Sequence, residues 1–173
     1  MKKVVGIVGN FNQPSRTYQL AENIVNKTAH AFGMEPQLYN LSALGPSFPN
    51  AQSLKDLDDQ AQAIIEDIID AEILVISVPT WNASYPGMFK HLFDLISPDS
   101  MRAKPMILAA TGGSERHALM VEYQVRPLFN YFKACPVTTS IYATSTDWNE
   151  NGLSYELNLR IGQAVSEIRL TSL

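Results

Sequence analysis

Three short apolar runs without alternation constrain this chain more than any other feature. Val4-Val5-Gly6-Ile7-Val8, Ile73-Leu74-Val75-Ile76-Ser77-Val78 and Pro105-Met106-Ile107-Leu108-Ala109-Ala110 carry almost no polar residues. A strand with one wet face alternates polar and apolar residues, so runs like these read as strands covered on both faces. Helical spacing separates them. Ala21, Ile24, Val25, Thr28 and Phe32 form one stripe, stopped by Gly33. Leu57, Ala61, Ile64, Ile65, Ile68 and Ile69 form a second, behind the capping signal Ser53-x-x-Asp56. Pro86 opens a third, with Met88, Phe89, Leu92, Phe93 and Ile96. Ala118, Val121, Val125, Leu128, Phe129 and Phe132 mark a fourth, and Leu157, Ile161, Ala164, Val165 and Ile168 a fifth.

Residues 36–41 and 137–143 complete five strands alternating with five helices, with no repeat and no linker. Alternation of this kind with doubly covered strands implies a parallel sheet between two helical layers. Five units in 173 residues fit the flavodoxin-like strand order 2-1-3-4-5 of a three-layer α/β sandwich, one domain over residues 1–173.

Composition narrows the function. Seventeen acidic residues against thirteen basic give a net charge of -4, which argues against a nucleic-acid partner. The apolar runs fall far short of the ~20 residues needed to span a bilayer, and no cleavage site follows the first one. The single cysteine, Cys135, excludes an internal disulfide and reads as a small buried hydrophobe in a reducing compartment. A cytoplasmic protein is expected. His30, His91 and His117 lack metal-ligand spacing; His30 and His91 read as helix-surface residues. Asp56, Asp58 and Asp59 read as first-turn carboxylates that suit a helix dipole.

In such a sheet, ligands bind beyond the carboxyl ends of the strands, between strands 1 and 3. The loops to inspect cover residues 9–17, 79–87 and 111–117. In the first, Ser15, Arg16 and Thr17 enter a helix whose free N–H groups favour an anion, and the Arg16 fork suits phosphate oxygens. The competing reading makes Ser15 a plain cap and leaves Arg16 in solvent. A nucleoside-triphosphate loop is excluded, because G-x-x-x-x-G-K-[ST] is absent. Gly6-Ile7-Val8-Gly9 lacks the later glycine of G-x-G-x-x-G, and the second strand ends in Leu41-Ser42 without an acid for a ribose. In the second loop, Pro79-Thr80-Trp81-Asn82-Ala83-Ser84 offers backbone groups to a flat heterocycle. Trp81 suits either an apolar wall or an interface, whereas Tyr85, four residues before Phe89, reads as core. In the third loop, Gly112 and Gly113 permit close approach of the backbone to a ligand, positive φ or a plain tight turn.

Gly9-Asn10, Pro14-Ser15-Arg16-Thr17, the run from Pro79 to Gly87 with Lys90, and Ala110-Thr111-Gly112-Gly113-Ser114 together resemble the NADPH-dependent FMN reductase family. Arg116-His117-Ala118-Leu119-x-Val121-Glu122-Tyr123-x-x-Arg126-Pro127-Leu128 extends the resemblance toward the reductases of sulfonate-degrading monooxygenase systems. The resemblance covers nearly the whole chain in order. It implies a flavodoxin-like fold, FMN and NADPH as cofactors, and a flavin site on these loops. Ser15, Arg16 and Thr17 would hold the FMN phosphate. Pro79, Thr80, Trp81, Asn82 and Ser84 would lie along the isoalloxazine, and Thr111, Gly112 and Gly113 would meet its polar edge. Asn10 stands where the family usually has serine, and Trp81 where tyrosine is frequent; both departures bear on affinity.

Pro127 lacks an N–H and leaves the Tyr123 carbonyl without its helical donor. A kink or π-type bulge near Tyr123 is therefore expected. The resemblance adds that this tyrosine lies at a subunit contact of a homodimer or homotetramer. Hydride transfer between nicotinamide and flavin is cofactor chemistry, so no catalytic side chain is named. Arg116 is a candidate for a nucleotide phosphate, and His117 opens the following helix. Two further readings stay open at this point: a reductase that retains its FMN and reduces quinones or azo dyes, and a flavodoxin-type electron carrier. The latter usually has a more acidic surface and a different phosphate loop.

Overall fold

Hydrogen bonding between the unbroken apolar runs builds one parallel sheet in the computed structural model, which describes residues 2–150 and 152–170. Strands β1 (Lys3–Val8), β2 (Glu35–Asn40), β3 (Ile73–Pro79) and β4 (Pro105–Thr111) run in the order β2-β1-β3-β4. Val5 pairs with Leu74, and Leu74 with Met106, so the apolar runs lie side by side. Strands β3 and β4 are buried at every position, as their lack of alternation predicts.

Helices cover both faces. On one side α1 (Arg16–Phe32) and α5 (Tyr155–Ser166) pack Leu20, Ile24, Leu157 and Ile161 against Val4, Val75 and Ile107. On the other side lie α2 (Asp59–Asp70), α3 (Gly87–Asp94) and α4 (Arg126–Tyr131). There Phe89, Phe93, Phe129 and Phe132 form an aromatic cluster whose neighbouring ring centroids are 4.9–6.4 Å apart. All five expected apolar stripes face this double core.

The fifth strand departs from expectation. Residues 137–143 are not one strand: β5 (Cys135–Pro136) and β6 (Ile141–Ala143) each pair with β4, and the backbone between them leaves the sheet. Side chains take over its hydrogen bonds. The Arg126 guanidinium donates to the Val137 and Thr138 carbonyls, Arg160 donates to the Ser140 carbonyl, and the Glu167 carboxylate accepts from Thr139 N–H. Buried backbone groups need partners, and long polar side chains supply them where the ladder cannot. This edge position also leaves Cys135 exposed, not buried as its apolar neighbours suggested.

Three smaller expectations also change. The Ser53–Asp56 box closes a separate 3-10 turn (Leu54–Asp56), while α2 is capped by Asp58, whose carboxylate accepts from Ala61 N–H. Among the acidic run, then, only Asp59 lies in the first turn of α2. The second strand begins one residue earlier than read. His91 is half-buried, with Nε2 3.0 Å from the Phe48 carbonyl and its ring beside Phe48. The fourth helix opens with a 3-10 turn (Glu115–His117) and passes through a π-helical segment (Val121–Val125) before α4. Arg126 N–H reaches back to the Val121 carbonyl, five residues earlier, just where Pro127 deprives the ladder of a donor. The bulge expected around Tyr123 is therefore present.

Candidate functional site

The carboxyl ends of β1, β3 and β4 place the three loops next to one another, as the strand order requires. Backbone bonds continue the sheet into them: Gly9 N–H donates to the Ser77 carbonyl, Thr80 N–H to Thr111 and Gly112 N–H to Ala143. Arg16, Pro79, Thr80, Trp81, Thr111, Gly112, Gly113, Ala143 and Trp148 line one open cleft of about 260 Å³. This is below the roughly 300–1,000 Å³ of sites that enclose a ligand, so a ligand here lies along the cleft with part of its surface exposed. A larger cleft of about 460 Å³ lies behind the third loop, between Leu119, Tyr142 and Arg160. It is not built by the ends of β1 and β3.

The first loop is shaped to receive an anion. Ser15 caps α1: its Oγ accepts from Tyr18 N–H at 3.1 Å and from Asn10 Nδ2 at 3.2 Å. With both acceptances used, the hydroxyl proton of Ser15 is left to donate outward. The N–H groups of Arg16 and Thr17 precede the helical ladder and add to the positive end of the dipole. The Arg16 guanidinium carbon lies over the Trp148 ring, 5.4 Å from its centroid, a cation–π contact that holds the side chain at the cleft. Thr17 has another role than the one expected. It is buried, its Oγ1 lies 2.7 Å from Thr111 Oγ1, and its carbonyl accepts from Ser77 Oγ. It joins α1 to β3 and β4 and does not face the cleft. Asn10 is 3% exposed and orients Ser15 from behind.

The second loop is a two-residue hairpin. Trp81 and Ser84 exchange both backbone hydrogen bonds, at 2.8 and 3.0 Å. Between them Asn82 (φ 49°) and Ala83 (φ 68°) are left-handed, the pairing that tight hairpins require and that glycine usually fills. Holding alanine there costs roughly 1–2 kcal/mol, which the surroundings must offset. Trp81 is 47% exposed and walls the cleft, whereas Tyr85 packs edge-on against Phe89 as core. Ser84 Oγ donates to Gln124 Oε1 of the π segment rather than toward the cleft.

The third loop owes Gly112 to a neighbour. A Cβ on Gly112 would fall 1.8 Å from the Tyr142 hydroxyl, which itself donates to the Ser114 carbonyl at 3.0 Å. Neither Gly112 nor Gly113 has positive φ, and the group that approaches Gly112 closely is the Tyr142 ring. At Gly113 a Cβ would meet nothing within 4 Å; that side opens into the cleft. Thr80 Oγ1 and Trp148 Nε1, both on lining residues, are buried with no hydrogen-bond partner. Unpaired buried donors at a cleft are a mark of a site shaped for a polar ligand. Arg116 is exposed on the short turn that follows.

Near the site the π segment is electrostatically pinned. Arg126 grips Glu122 with Nε at 2.5 Å and Nη2 at 3.2 Å, and this bond holds the Glu122 carboxyl below its ordinary range.

The model of the NADPH-dependent FMN reductase family matches residues 2–149. The chain belongs to that family. It is 36% identical to the NADH-dependent FMN reductase SfnF of Pseudomonas fluorescens, over 89% of this chain and 82% of that protein. It is 34% identical to an FMN reductase (NADPH) of Pseudomonas aeruginosa, over 92% and 86% of the two chains. Among solved structures, an oxidoreductase of Corynebacterium diphtheriae superposes with a TM-score of 0.82 at 31% identity, covering 96% of this chain and 94% of that one. The family membership and the flavodoxin-like fold are thus those the motifs suggested. Trp148 lines the cleft, Tyr142 abuts Gly112 and Gln124 bonds Ser84; none of the three was singled out from sequence. Trp148 lies on a two-residue strand after β6, paired with Gly152–Leu153 and too short to show periodicity; Tyr142 reads as an ordinary strand residue, and Gln124 sits in a helix one side of which is wet.

Proposed function

We propose that this chain is an NAD(P)H-dependent FMN reductase whose FMN lies along the cleft between the three loops. The observation that carries this reading is the convergence, within one family-matched fold, of an anion-ready α1 terminus with a flat-walled cleft. Ser15 and the Arg16 fork take the phosphate, residues 79–84 lie along the ring, and Thr111 to Gly113 meet its polar edge. The buried unpaired Thr80 hydroxyl and the open space at Gly113 fit such an occupant. Bound along these loops, FMN would supply the hydride-accepting chemistry, with a nicotinamide as the donor.

The protein's part is orientation. Trp148 holds Arg16, Thr17 and Thr111 lock α1 to β4, and Trp81 shields one end of the cleft from water. No side chain is assigned a proton-transfer role. Relatives are named for NADH in one case and NADPH in another, and either nicotinamide is taken as the donor here. Reduced FMN is passed to a partner monooxygenase in the cytoplasm. Leu119, Tyr123 and Tyr131 are large, exposed and carried on the π segment and its flanks; a second copy of the chain covers them in a homodimer or homotetramer. Residues 1–173 act as one flavin-binding domain.

The test is nicotinamide oxidation by flavin-free protein in air, with and without added FMN. Consumption that requires FMN and saturates with it supports the reading; no consumption of either nicotinamide under both conditions sinks it.

A further inference from the structure

The hairpin at residues 81–84 and the π segment meet at one side chain. Gln124 Nε2 donates to the Ala83 carbonyl at 3.3 Å, and Gln124 Oε1 accepts from the Ser84 hydroxyl. Among the described residues no other side chain from outside the loop hydrogen-bonds to this turn. The turn needs outside support, because two consecutive non-glycine residues in the left-handed region persist only where surroundings over-determine them. The support is itself rigid. Val121 and Val125 of the same segment are fully buried, and Arg126 is forked onto Glu122 and onto the Val137 and Thr138 carbonyls between β5 and β6.

We infer that Gln124 is a positioning residue for the flavin loop: it holds residues 81–84 in the shape that receives the ring, and so sets FMN affinity without touching the flavin. This rests on the reading of residues 79–84 as the flavin loop. It also reassigns Ser84, whose hydroxyl contributes to FMN binding through the Gln124 amide and not by direct contact. The π segment thereby becomes part of the flavin site at one remove.

The experiment measures FMN dissociation constants, by quenching of flavin fluorescence, for the full-length wild type, Gln124→Met, Gln124→Glu, Ser84→Ala, the Gln124→Met/Ser84→Ala double variant and Arg16→Ala. Methionine keeps the length of glutamine and removes both hydrogen bonds. Gln124→Met is expected to weaken FMN binding about tenfold, equivalent to ~1.4 kcal/mol, with the loss falling on KM for FMN and not on kcat. Glutamate keeps the acceptor for Ser84 and is expected to fall between the two. The double variant is expected to bind no more weakly than Gln124→Met alone, because both changes break the same latch. Full additivity of the two losses, or a Gln124→Met constant within twofold of wild type, overturns the inference. If Gln124→Met does not fold, Gln124→Glu decides: binding at least threefold weaker than wild type supports the latch, and unchanged binding removes it. Arg16→Ala separates the two layers of the argument. If it weakens FMN binding while Gln124→Met does not, the latch fails and the site stands; if neither affects binding, the site assignment fails and takes the latch with it.

Discussion

Thr17 Oγ1 and Thr111 Oγ1 lie 2.7 Å apart in the interior, one on the first turn of α1 and the other at the end of β4. The contact spans 94 positions of sequence and ties α1 to β4. Thr17→Val leaves the Thr111 hydroxyl buried without its partner, a loss of about 1–3 kcal/mol. Adding Thr111→Val recovers part of that loss, since an apolar pair of similar shape leaves nothing unsatisfied. Urea unfolding of the two single variants and the double variant checks both statements; equal loss in all three contradicts them.

Gly112 is required by a side chain 30 positions away. Gly112→Ala drives a methyl group into the Tyr142 hydroxyl, and overpacking of this kind costs roughly 1–3 kcal/mol. Tyr142→Phe does not relieve the clash, because the ring carbon that bears the hydroxyl would still be 2.7 Å away. Tyr142→Leu does. Melting temperatures of the Gly112→Ala protein in each Tyr142 background separate the cases.

Arg16 is expected to resist conservative replacement. Its guanidinium lies over the Trp148 ring, and lysine offers neither the planar fork nor the same contact with an aromatic face. Arg16→Lys should weaken FMN binding nearly as much as Arg16→Ala, on the order of 10- to 100-fold for lost charge-assisted bonds. Trp148→Leu should give part of the same loss. Titration of FMN into each variant at low and high salt measures it, and retention of near-native affinity in Arg16→Lys contradicts this role for the guanidinium.

Ala83 sits at φ 68°, where glycine carries no Cβ penalty but a larger entropy loss on folding. The balance favours Ala83→Gly by about 0.5–1 kcal/mol in stability. Asn82→Gly gains less, because asparagine tolerates this region. Chemical denaturation of both variants tests the order.

Two opposed pH limits arise at the sheet's other edge. Tyr39 donates to Asp67 Oδ2 at 2.6 Å, and Lys3 bonds Asp67 Oδ1. Burial, then the bond to Asp67, raises the Tyr39 phenol from 10.0 to about 12. A raised folded value favours the protonated form, so its contribution is complete below pH 10 and is lost between about 10 and 12. The Asp67 carboxyl is depressed below 3.8, chiefly by Lys3 and then by Tyr39. Its contribution is present above the unfolded value and is lost as pH falls through the folded one. Tyr39→Phe should flatten the alkaline limb of a stability-versus-pH curve and weaken the acid limb without abolishing it, since Lys3 remains.

The fold was legible because burial on both faces of a strand writes itself directly as an unbroken apolar run. Ile73 to Val78 admits little else. The loop positions follow from strand order alone, and Pro127 announces the π segment through a missing N–H. What stayed hidden depends on long-range meetings. Nothing near Gly112 in sequence mentions Tyr142, and nothing near Arg16 mentions Trp148. Thr17 looked like a phosphate donor because its hydroxyl stands beside Ser15 and Arg16 in sequence; a helix turn sends it inward. Cys135 looked buried because its neighbours are apolar, yet it lies on the sheet's outermost strand, where one side is wet.

The break between β5 and β6 has a consequence for what the outer margin of the sheet can accept. An outermost strand with free N–H and C=O groups is a template on which another chain can grow the sheet. Here the Val137, Thr138 and Ser140 carbonyls are occupied by Arg126 and Arg160, and Thr139 N–H by Glu167. Pro136 removes a further donor from that margin, and Pro36 does so on β2 at the opposite one. Both margins are blunted against strand-by-strand growth, so neither edge of the sheet offers a ready template on which fibres could extend.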